Sequence, residues 1–391
     1  MSEWQKRKLG ELCTRITVGH VGSMASRYTE SGIPFLRSLN IKRGRIDLAA
    51  VKYIDEGFHR ELAKSQLRPG DLAIVRTGEP GTTALIPDGL GPLNCSDIVI
   101  ATPRPDVDAR FLCYAINETA QEFVKAHTVG AVQQHFNVKS AKELTLHVPE
   151  LAHQQVISGL LGALDDKIAN NGRIAATAEN LALALASGER WEGRVRLDEL
   201  CVLRKDQASP QEIPNDYVDH YSLPAFDAGK VPERVAPESI KSSKFSVTEP
   251  AVLLSKLNPD IPRVWNVTPN PGVPSLASTE FLVLTPRGAL TTHELWAVTA
   301  QQTFLDDLAS KVTGTSKSHQ RVRPAEVLAT KVVDPLQFGE TGRQLQGLAS
   351  RAALARRESR TLATLRDALL PQLMSGRLRV KDAEKIVEDH T

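Results

Sequence analysis

The feature that most constrains this chain is that it is written twice. Leu9-Gly10-Glu11-Leu12-Cys13 returns 188 positions later as Leu197-Asp198-Glu199-Leu200-Cys201, and a tryptophan stands upstream of each copy, Trp4 and Trp191. Ser187-Gly188 returns at the same offset as Ser375-Gly376. Thr102-Pro103-Arg104 returns after 183 positions as Thr285-Pro286-Arg287, each time behind an apolar run, Ile98-Val99-Ile100 and Phe281-Leu282-Val283-Leu284. At an offset of 184, Gly130, His135, Val138, Ala141 and Leu144 align with Gly314, His319, Val322, Ala325 and Leu328. Separate blocks in one order at nearly one offset mean a tandem duplication, so the fold must be built from two related halves.

Each half has two textures. The first stretch, 1–148 and again 190–334, is rich in Pro, Gly and short apolar runs such as Leu72-Ala73-Ile74-Val75 and Ala251-Val252-Leu253-Leu254. It predicts short strands and loops, with helices near 109–126 and 291–311. The second stretch predicts a long helix, within 149–189 and within 335–376, and a short tail follows over 377–391. In the first helix Ile157, Leu161, Leu164, Ile168, Ala175, Ala178, Ala182 and Leu185 repeat at steps of three and four, with Asn171 filling one seam position. In the second, Leu345, Leu348, Ala352, Ala355, Leu362, Leu365, Leu369 and Leu373 do the same, with Ser359 as the polar member. Such seams belong to a coiled coil, and one polar seam residue per helix is a device for fixing register. The first helix carries Glu150, Asp165, Asp166 and Glu179, the second Arg343, Arg351, Arg356, Arg357, Arg360 and Arg366. An acidic helix beside a basic one favours pairing with each other, although each exposed ion pair contributes only about 0–1 kcal/mol. A helix of this length would run about 55 Å, more than one small domain needs. The expected architecture is α/β (α+β): two globular heads alternating with two long helices that pack as an antiparallel coiled coil.

Several functions are disfavoured by what the chain lacks. Its 391 residues, 41% apolar and 24% charged, are ordinary for a soluble protein of two or three domains. It has no apolar run of about 18 residues to span a membrane. The polar start Met1-Ser2-Glu3-Trp4-Gln5-Lys6-Arg7-Lys8 lacks a signal-peptide core, so the cytoplasm is the expected compartment. Cys13, Cys95, Cys113 and Cys201 lie far apart, which argues against a structural zinc and for buried thiols. There is no Walker loop for ATP. Asn258-Pro259-Asp260-Ile261 has only the first half of an adenine-methyltransferase motif and reads as a turn. No histidine pairs with an obvious nucleophile. No catalytic residue and no metal ligand is therefore assigned to this chain.

Duplicated heads alternating with duplicated long helices resemble the specificity subunits of Type I restriction–modification systems. The most specific segment runs from Leu365-Arg366-Asp367-Ala368-Leu369-Leu370-Pro371-Gln372-Leu373-Met374 through Ser375-Gly376-Arg377-Leu378-Arg379-Val380, similar to the family's closing segment. Val148-Pro149-Glu150-Leu151-Ala152-His153-Gln154-Gln155-Val156-Ile157, with Leu164-Asp165-Asp166-Lys167-Ile168 downstream, resembles the family's entry into its first conserved helix. Trp4 with Leu9-Gly10-Glu11-Leu12 looks like its opening, and Leu67-Arg68-Pro69-Gly70-Asp71-Leu72 like a strand entry within the head. His153 stands where the family often has an acid, and Asp334-Pro335-Leu336-Gln337-Phe338-Gly339 has largely lost the pattern of its counterpart. The resemblance implies that 1–148 and 190–334 are target-recognition domains, each reading half of a split target in double-stranded DNA. It implies that the helices are a spacer and a dock for two modification subunits that methylate adenine with S-adenosylmethionine. Restriction subunits using ATP and Mg would complete the complex, with no cofactor in this chain.

Base edges are read by Arg or Lys on guanine and by Asn or Gln on adenine. The first head offers Arg37, Asn40, Lys42, Arg43, Arg45, Arg76, Thr77, Gln133, Gln134 and His135. The second offers Lys256, Asn258 and Arg263, then Thr315, Ser316, Lys317, Ser318, His319 and Arg321, a loop rich in donors suited to phosphate. The loops ending at His135 and His319 are repeat-mates, which makes them the leading candidates for DNA contact. The net charge of +2 requires such positive charge to be local or supplied by partners. Two other readings stay open: a self-associating sequence-specific DNA-binding protein or repressor, and an enzyme whose site is assembled from both heads.

Overall fold

The computed structural model describes residues 4–126, 136–187, 191–312 and 320–389, with only the backbone of 125 and 126. The chain divides into two compact units, Met1–Lys167 with Thr361–Thr391 and Ile168–Arg360.

In the first unit the central strand Leu72–Val75 is buried on both faces, which is why it is uniformly apolar rather than alternating. It pairs antiparallel with Ile98–Pro103 and Thr83–Leu85, and Cys13–Val18 completes a four-stranded sheet. A second four-stranded sheet is built around Ile33–Leu36 and Leu93–Cys95, which run parallel. The side chains of Leu36, Leu67, Ala73, Val75, Ile98 and Ile100 fill one core between these elements. The helix Ala109–Ala126 lies where 109–126 was expected. The strands Gln5–Lys8 and Thr145–Val148 pair antiparallel and close the head, and Leu9 N–H donates to Leu144 O at 2.8 Å.

The second unit repeats this plan. Ala251–Ser255 pairs with Phe281–Pro286 and Val264–Val267, with Cys201–Arg204 at the edge. Val218–Tyr221 and Ser275–Ala277 are its parallel pair, within a five-stranded sheet. Arg194–Arg196 pairs with Lys331–Val333, and Leu197 N–H donates to Thr330 O at 3.0 Å. The helix expected over 291–311 is instead two, Thr292–Thr299 and Gln302–Ser310. The break is at Gln301, whose backbone is extended, and each piece buries its own residues, among them Trp296 in the first and Phe304 in the second.

The long helices run Leu151–Ala186 and Glu340–Met374. The second starts later than 335 because Pro335–Gln337 is a 3-10 turn and Gly339 sits at φ +49°, left-handed backbone that suits glycine. Within the second unit the two helices pack antiparallel: Ala175 and Ala178 meet Ala352 and Ala355, and Leu345 joins the cluster that holds Ala182 and Ala186. Small residues let the backbones approach closely. Buried Asn171 donates from Nδ2 to Glu358 Oε2 at 2.8 Å. The other polar seam residue does not share in this: Ser359 Oγ is buried without a hydrogen-bond partner, so of the two polar seam residues it is Asn171 that bonds across the helices. Glu179 pairs with Arg356 at 2.6 Å, and in the first unit Asp165 pairs with Arg366 at 2.6 Å, so the opposite charges do meet. At the end of the second helix Gly376 lies at φ +69°, and a Cβ there would fall 2.7 Å from Trp4 Nε1. Ser187 is described, but Gly188, the counterpart of Gly376, lies outside the described residues.

Cys95, Cys113 and Cys201 are buried and Cys13 is half-buried, all as free thiols. Burial pushes Cys13, Cys113 and Cys201 up to about 12, so these thiols stay protonated and unreactive. Among the described residues no helix is long and apolar enough to cross a membrane.

Candidate nucleic-acid interface

The central strand of each head ends at a corner that gathers several of the sequence candidates. In the first unit Leu72–Val75 runs straight into Arg76 and Thr77. Arg76 forms an ion pair with Asp97, and Thr77 Oγ1 donates to Asp97 Oδ2 at 3.3 Å. Asp97 stands at φ +48° immediately before the strand Ile98–Pro103, so the carboxylate is presented by a tight turn. Phe136, the first described residue after 127–135, donates its N–H to Arg76 O at 3.0 Å. The candidates Gln133, Gln134 and His135 lie outside the described residues.

The second unit builds the same corner from other parts. Ala251–Ser255 runs into Lys256, whose N–H donates to Glu280 O at 3.0 Å. Glu280 precedes Phe281–Pro286 just as Asp97 precedes Ile98–Pro103, and the offset between them is again 183. The guanidinium of Arg321 grips Glu280 through two hydrogen bonds, Nε to Oε2 at 3.1 Å and Nη2 to Oε1 at 2.9 Å. Hydrogen bonding to Arg321 holds the Glu280 carboxyl below its ordinary range, against the smaller opposing effect of burial. Val322 N–H donates to Lys256 O at 3.0 Å, and Asn258 N–H donates to Gln320 O at 2.9 Å. The chain returning from 313–319 is therefore stitched to the end of the central strand. Thr315, Ser316, Lys317, Ser318 and His319 themselves lie outside the described residues. Asn258-Pro259-Asp260-Ile261 is a turn, closed by Ile261 N–H to Asn258 O at 2.8 Å.

Both corners thus place an arginine on a carboxylate, and in both the segment that follows the repeat-mate loop returns to that point. The arginine comes from the central strand in one head and from the returning segment in the other, so the two corners are equivalent in place and unlike in detail. Reading the sequence for cations overlooked Asp97 and Glu280. The shared offset of 183, already visible in Thr102 and Thr285, is the signal that could have found them.

The remaining candidates separate into two groups. Lys42 and Arg45 face each other across the small hairpin Ile41–Lys42 and Arg45–Ile46, and both are exposed. Like charges directly opposite one another weaken a strand pair. Gly44 turns the hairpin at φ +74° and donates its N–H to Thr83 O at 2.9 Å, which tacks it to the strand beside Leu72–Val75. Arg43, from the same turn, is spent on an ion pair with Glu118 of the helix Ala109–Ala126. Arg37, Asn40 and Arg263 serve the fold. Asn40 is buried and bridges Arg37 N–H and Asp47 O, while Arg37 Nη2 donates to Ala50 O at 2.7 Å. Arg263 is held by both oxygens of Asp227 at 2.8 Å.

Two heads of one plan, each with a guanidinium–carboxylate corner beside the end of its central strand, and two long helices packed on each other define a duplicated two-headed scaffold. Residues 1–180 match the family model of the Type I restriction modification DNA specificity domain. The crystal structure of the S subunit of a Type I restriction–modification system from M. genitalium has this fold, with a TM-score of 0.60 at 15% identity over 95% of this chain and 96% of that one. The HsdS subunit from Thermoanaerobacter tengcongensis aligns at 17% identity over 96% of this chain and 97% of that one, with a TM-score of 0.37. No curated protein sequence matches the chain.

Proposed function

We propose that this chain is the DNA-specificity subunit of a Type I restriction–modification enzyme, reading an asymmetric bipartite target and directing adenine methylation and restriction by its partners. The observation that carries the reading is the corner repeated in both heads with different residues. A duplicated reader placed twice on one chain reads two half-sites, and divergence between Arg76–Asp97 and Arg321–Glu280 makes the half-sites unequal. An arginine held by a carboxylate is pre-aimed, and its bidentate face suits the O6 and N7 of guanine. The polar loops ending at His135 and His319, which lead into these corners, would supply phosphate contacts.

In this reading the chemistry belongs to the partners. Two modification subunits would bring S-adenosylmethionine, and restriction subunits would bring ATP and Mg, with the paired helices as their dock. The deciding experiment is methylome sequencing of a host with and without the gene, with the modification subunit present in both. Loss of adenine methylation at one split, asymmetric motif is the expected result. An unchanged methylome overturns the proposal and returns the choice to a DNA-binding protein that acts alone.

A further inference from the structure

The first head is joined to the long helix Leu151–Ala186 by directional contacts from the helix Ala109–Ala126 and the residue before it. Asp108 caps that helix, accepting from Phe111 N–H at 2.7 Å, and donates its own N–H to Oε1 of buried Gln154 at 2.9 Å. The Arg110 guanidinium holds both oxygens of Asp166, at 3.2 and 2.7 Å. It lies over Gly162, where a Cβ would fall 2.8 Å from Arg110 Cζ, so the long helix is notched to receive it. Buried Tyr114 donates its hydroxyl to Asp165 Oδ2 at 2.5 Å, and Asp165 Oδ1 accepts from Arg366 Nη1 of the second long helix at 2.6 Å. Both oxygens of Asp165 are thereby committed, one to the head and one to the helix pair. From Gln154 to Asp166 the contacts span about 18 Å of helix.

One turn further along, the same helix grips the part of the head that bears the corner. The Asn117 amide accepts from Thr83 N–H at 3.0 Å and donates to Thr83 O at 2.9 Å, so it pairs with the strand Thr83–Leu85 as a neighbouring backbone would. That strand lies against Leu72–Val75, which runs into Arg76. Glu118 forms the ion pair with Arg43 of the small hairpin. A displacement of Ala109–Ala126 along the long helix would therefore carry the Arg76–Asp97 corner with it. Apolar packing alone resists such a displacement poorly, because it is non-directional and packed helices slide past one another in small steps. Hydrogen bonds to carboxylates are short and directional, and they select one register.

The second half has no such link at this place. At offsets of 183 and 188 the positions of Arg110, Tyr114, Asp165 and Asp166 hold His293, Ala297, Ala353 and Leu354. There Leu295, Trp296 and Phe304 of the head pack with Ala182, Ala186 and Leu345 of the long helices, and a polar tie is made elsewhere, by Lys230 on Glu179 at 2.8 Å. A head can thus be held on the helices without these hydrogen bonds, so retention is not what they add. We propose that Tyr114 and Arg110 are positioning residues. Through Asp165 and Asp166 they fix where the first corner stands along its long helix, and with it the spacer length accepted between the two halves of the target. The inference rests on the specificity reading and names what sets one of its dimensions.

The test uses the full chain and fluorescent duplexes that carry the split motif found by methylome sequencing. The spacer is kept at its native length or changed by a single base pair, which moves a half-site by about 3.4 Å and turns it about the axis. Wild type should prefer the native spacer by about tenfold or more. Tyr114→Phe keeps the ring and loses only the hydroxyl, and should shrink that preference about fivefold. Arg110→Lys keeps the charge, loses the two-point hold on Asp166 and should act in the same direction. Neither variant should weaken binding to a duplex holding the first half-site alone. Ser65→Ala removes a buried hydrogen bond to Asn94 outside the link and should leave the spacer preference unchanged. An undiminished preference in both Tyr114→Phe and Arg110→Lys overturns the proposal. So does an equal loss in Ser65→Ala, a wild type that accepts every spacer alike, or a loss on the single half-site as large as on the whole target. Those results leave the specificity reading standing, whereas a wild type that binds no split motif would sink that reading and the link with it.

Discussion

Arg76 and Arg321 show how little a residue's identity says about its employment. Both are arginines beside a carboxylate, as is Arg263, yet Arg263 is only 12% exposed in its side chain and Arg321 is 42% exposed. A guanidinium that keeps part of its surface in water can reach a base edge; one enclosed by the fold cannot. If the corners read DNA, Arg76→Ala and Arg321→Ala should each weaken binding to the cognate duplex by about 1–3 kcal/mol, with the loss confined to one half-site per variant. Gel-shift titration against duplexes altered in one half-site checks this, and equal losses for every duplex would refute base reading. Arg263→Ala should instead act through stability. Asp219 is the extreme structural case: fully buried, it accepts from Arg234 Nε at 3.0 Å and from Asn270, and pairs with Arg360. Asp219→Ala leaves these donors facing each other and should cost about 3 kcal/mol or more of stability, measurable as a lower denaturant midpoint. A variant within about 0.5 kcal/mol of wild type would show the cluster to be dispensable.

At the scale of elements, the paired helices depend on a few polar contacts set into an alanine seam. Glu179 is the central one, 15% exposed between Arg356 and Lys230. Burial opposes its charge, but the hydrogen bonds and charges of those two cations outweigh burial and hold its carboxyl below the ordinary value of 4.5. A carboxyl with a lowered folded value stabilises the native state fully at pH above its unfolded value, and the contribution disappears as pH falls through the folded one. The stability difference between wild type and Glu179→Gln should therefore be largest near neutral pH and shrink as pH drops below about 4.5. Urea midpoints of both proteins from about pH 7 to about pH 3 check it; a constant difference would mean the pair contributes nothing. Asn171→Ala removes a cross-helix side-chain bond to Glu358 and should cost about 1 kcal/mol by the same measurement.

For the whole molecule, the duplication carries the main prediction. Each head closes on itself through its own terminal strand pair, Gln5–Lys8 with Thr145–Val148 and Arg194–Arg196 with Lys331–Val333. If the heads read DNA as proposed, replacing residues 1–148 with the corresponding head of a relative should change one half of the methylated motif and leave the other intact. Methylome sequencing reads this directly, and a motif changed in both halves would contradict independent heads.

The linear sequence determined the duplication, the extents of the long helices to within a few residues, and their seams, because a heptad pattern is a local property and a repeat is visible without a fold. It also located both loops that return to the corners, since their spacing survived divergence. It misjudged the unbroken helix over 291–311 and the role of Ser359, where long-range burial rather than local pattern chose the outcome. Only tertiary structure sorted the basic residues. Whether an arginine faces solvent or is consumed by Asp227, Ala50 O or Glu118 depends on groups 36, 13 and 75 positions away along the chain. The corners likewise needed the fold, because Arg321 and Glu280 lie 41 positions apart and meet only when the central sheet forms.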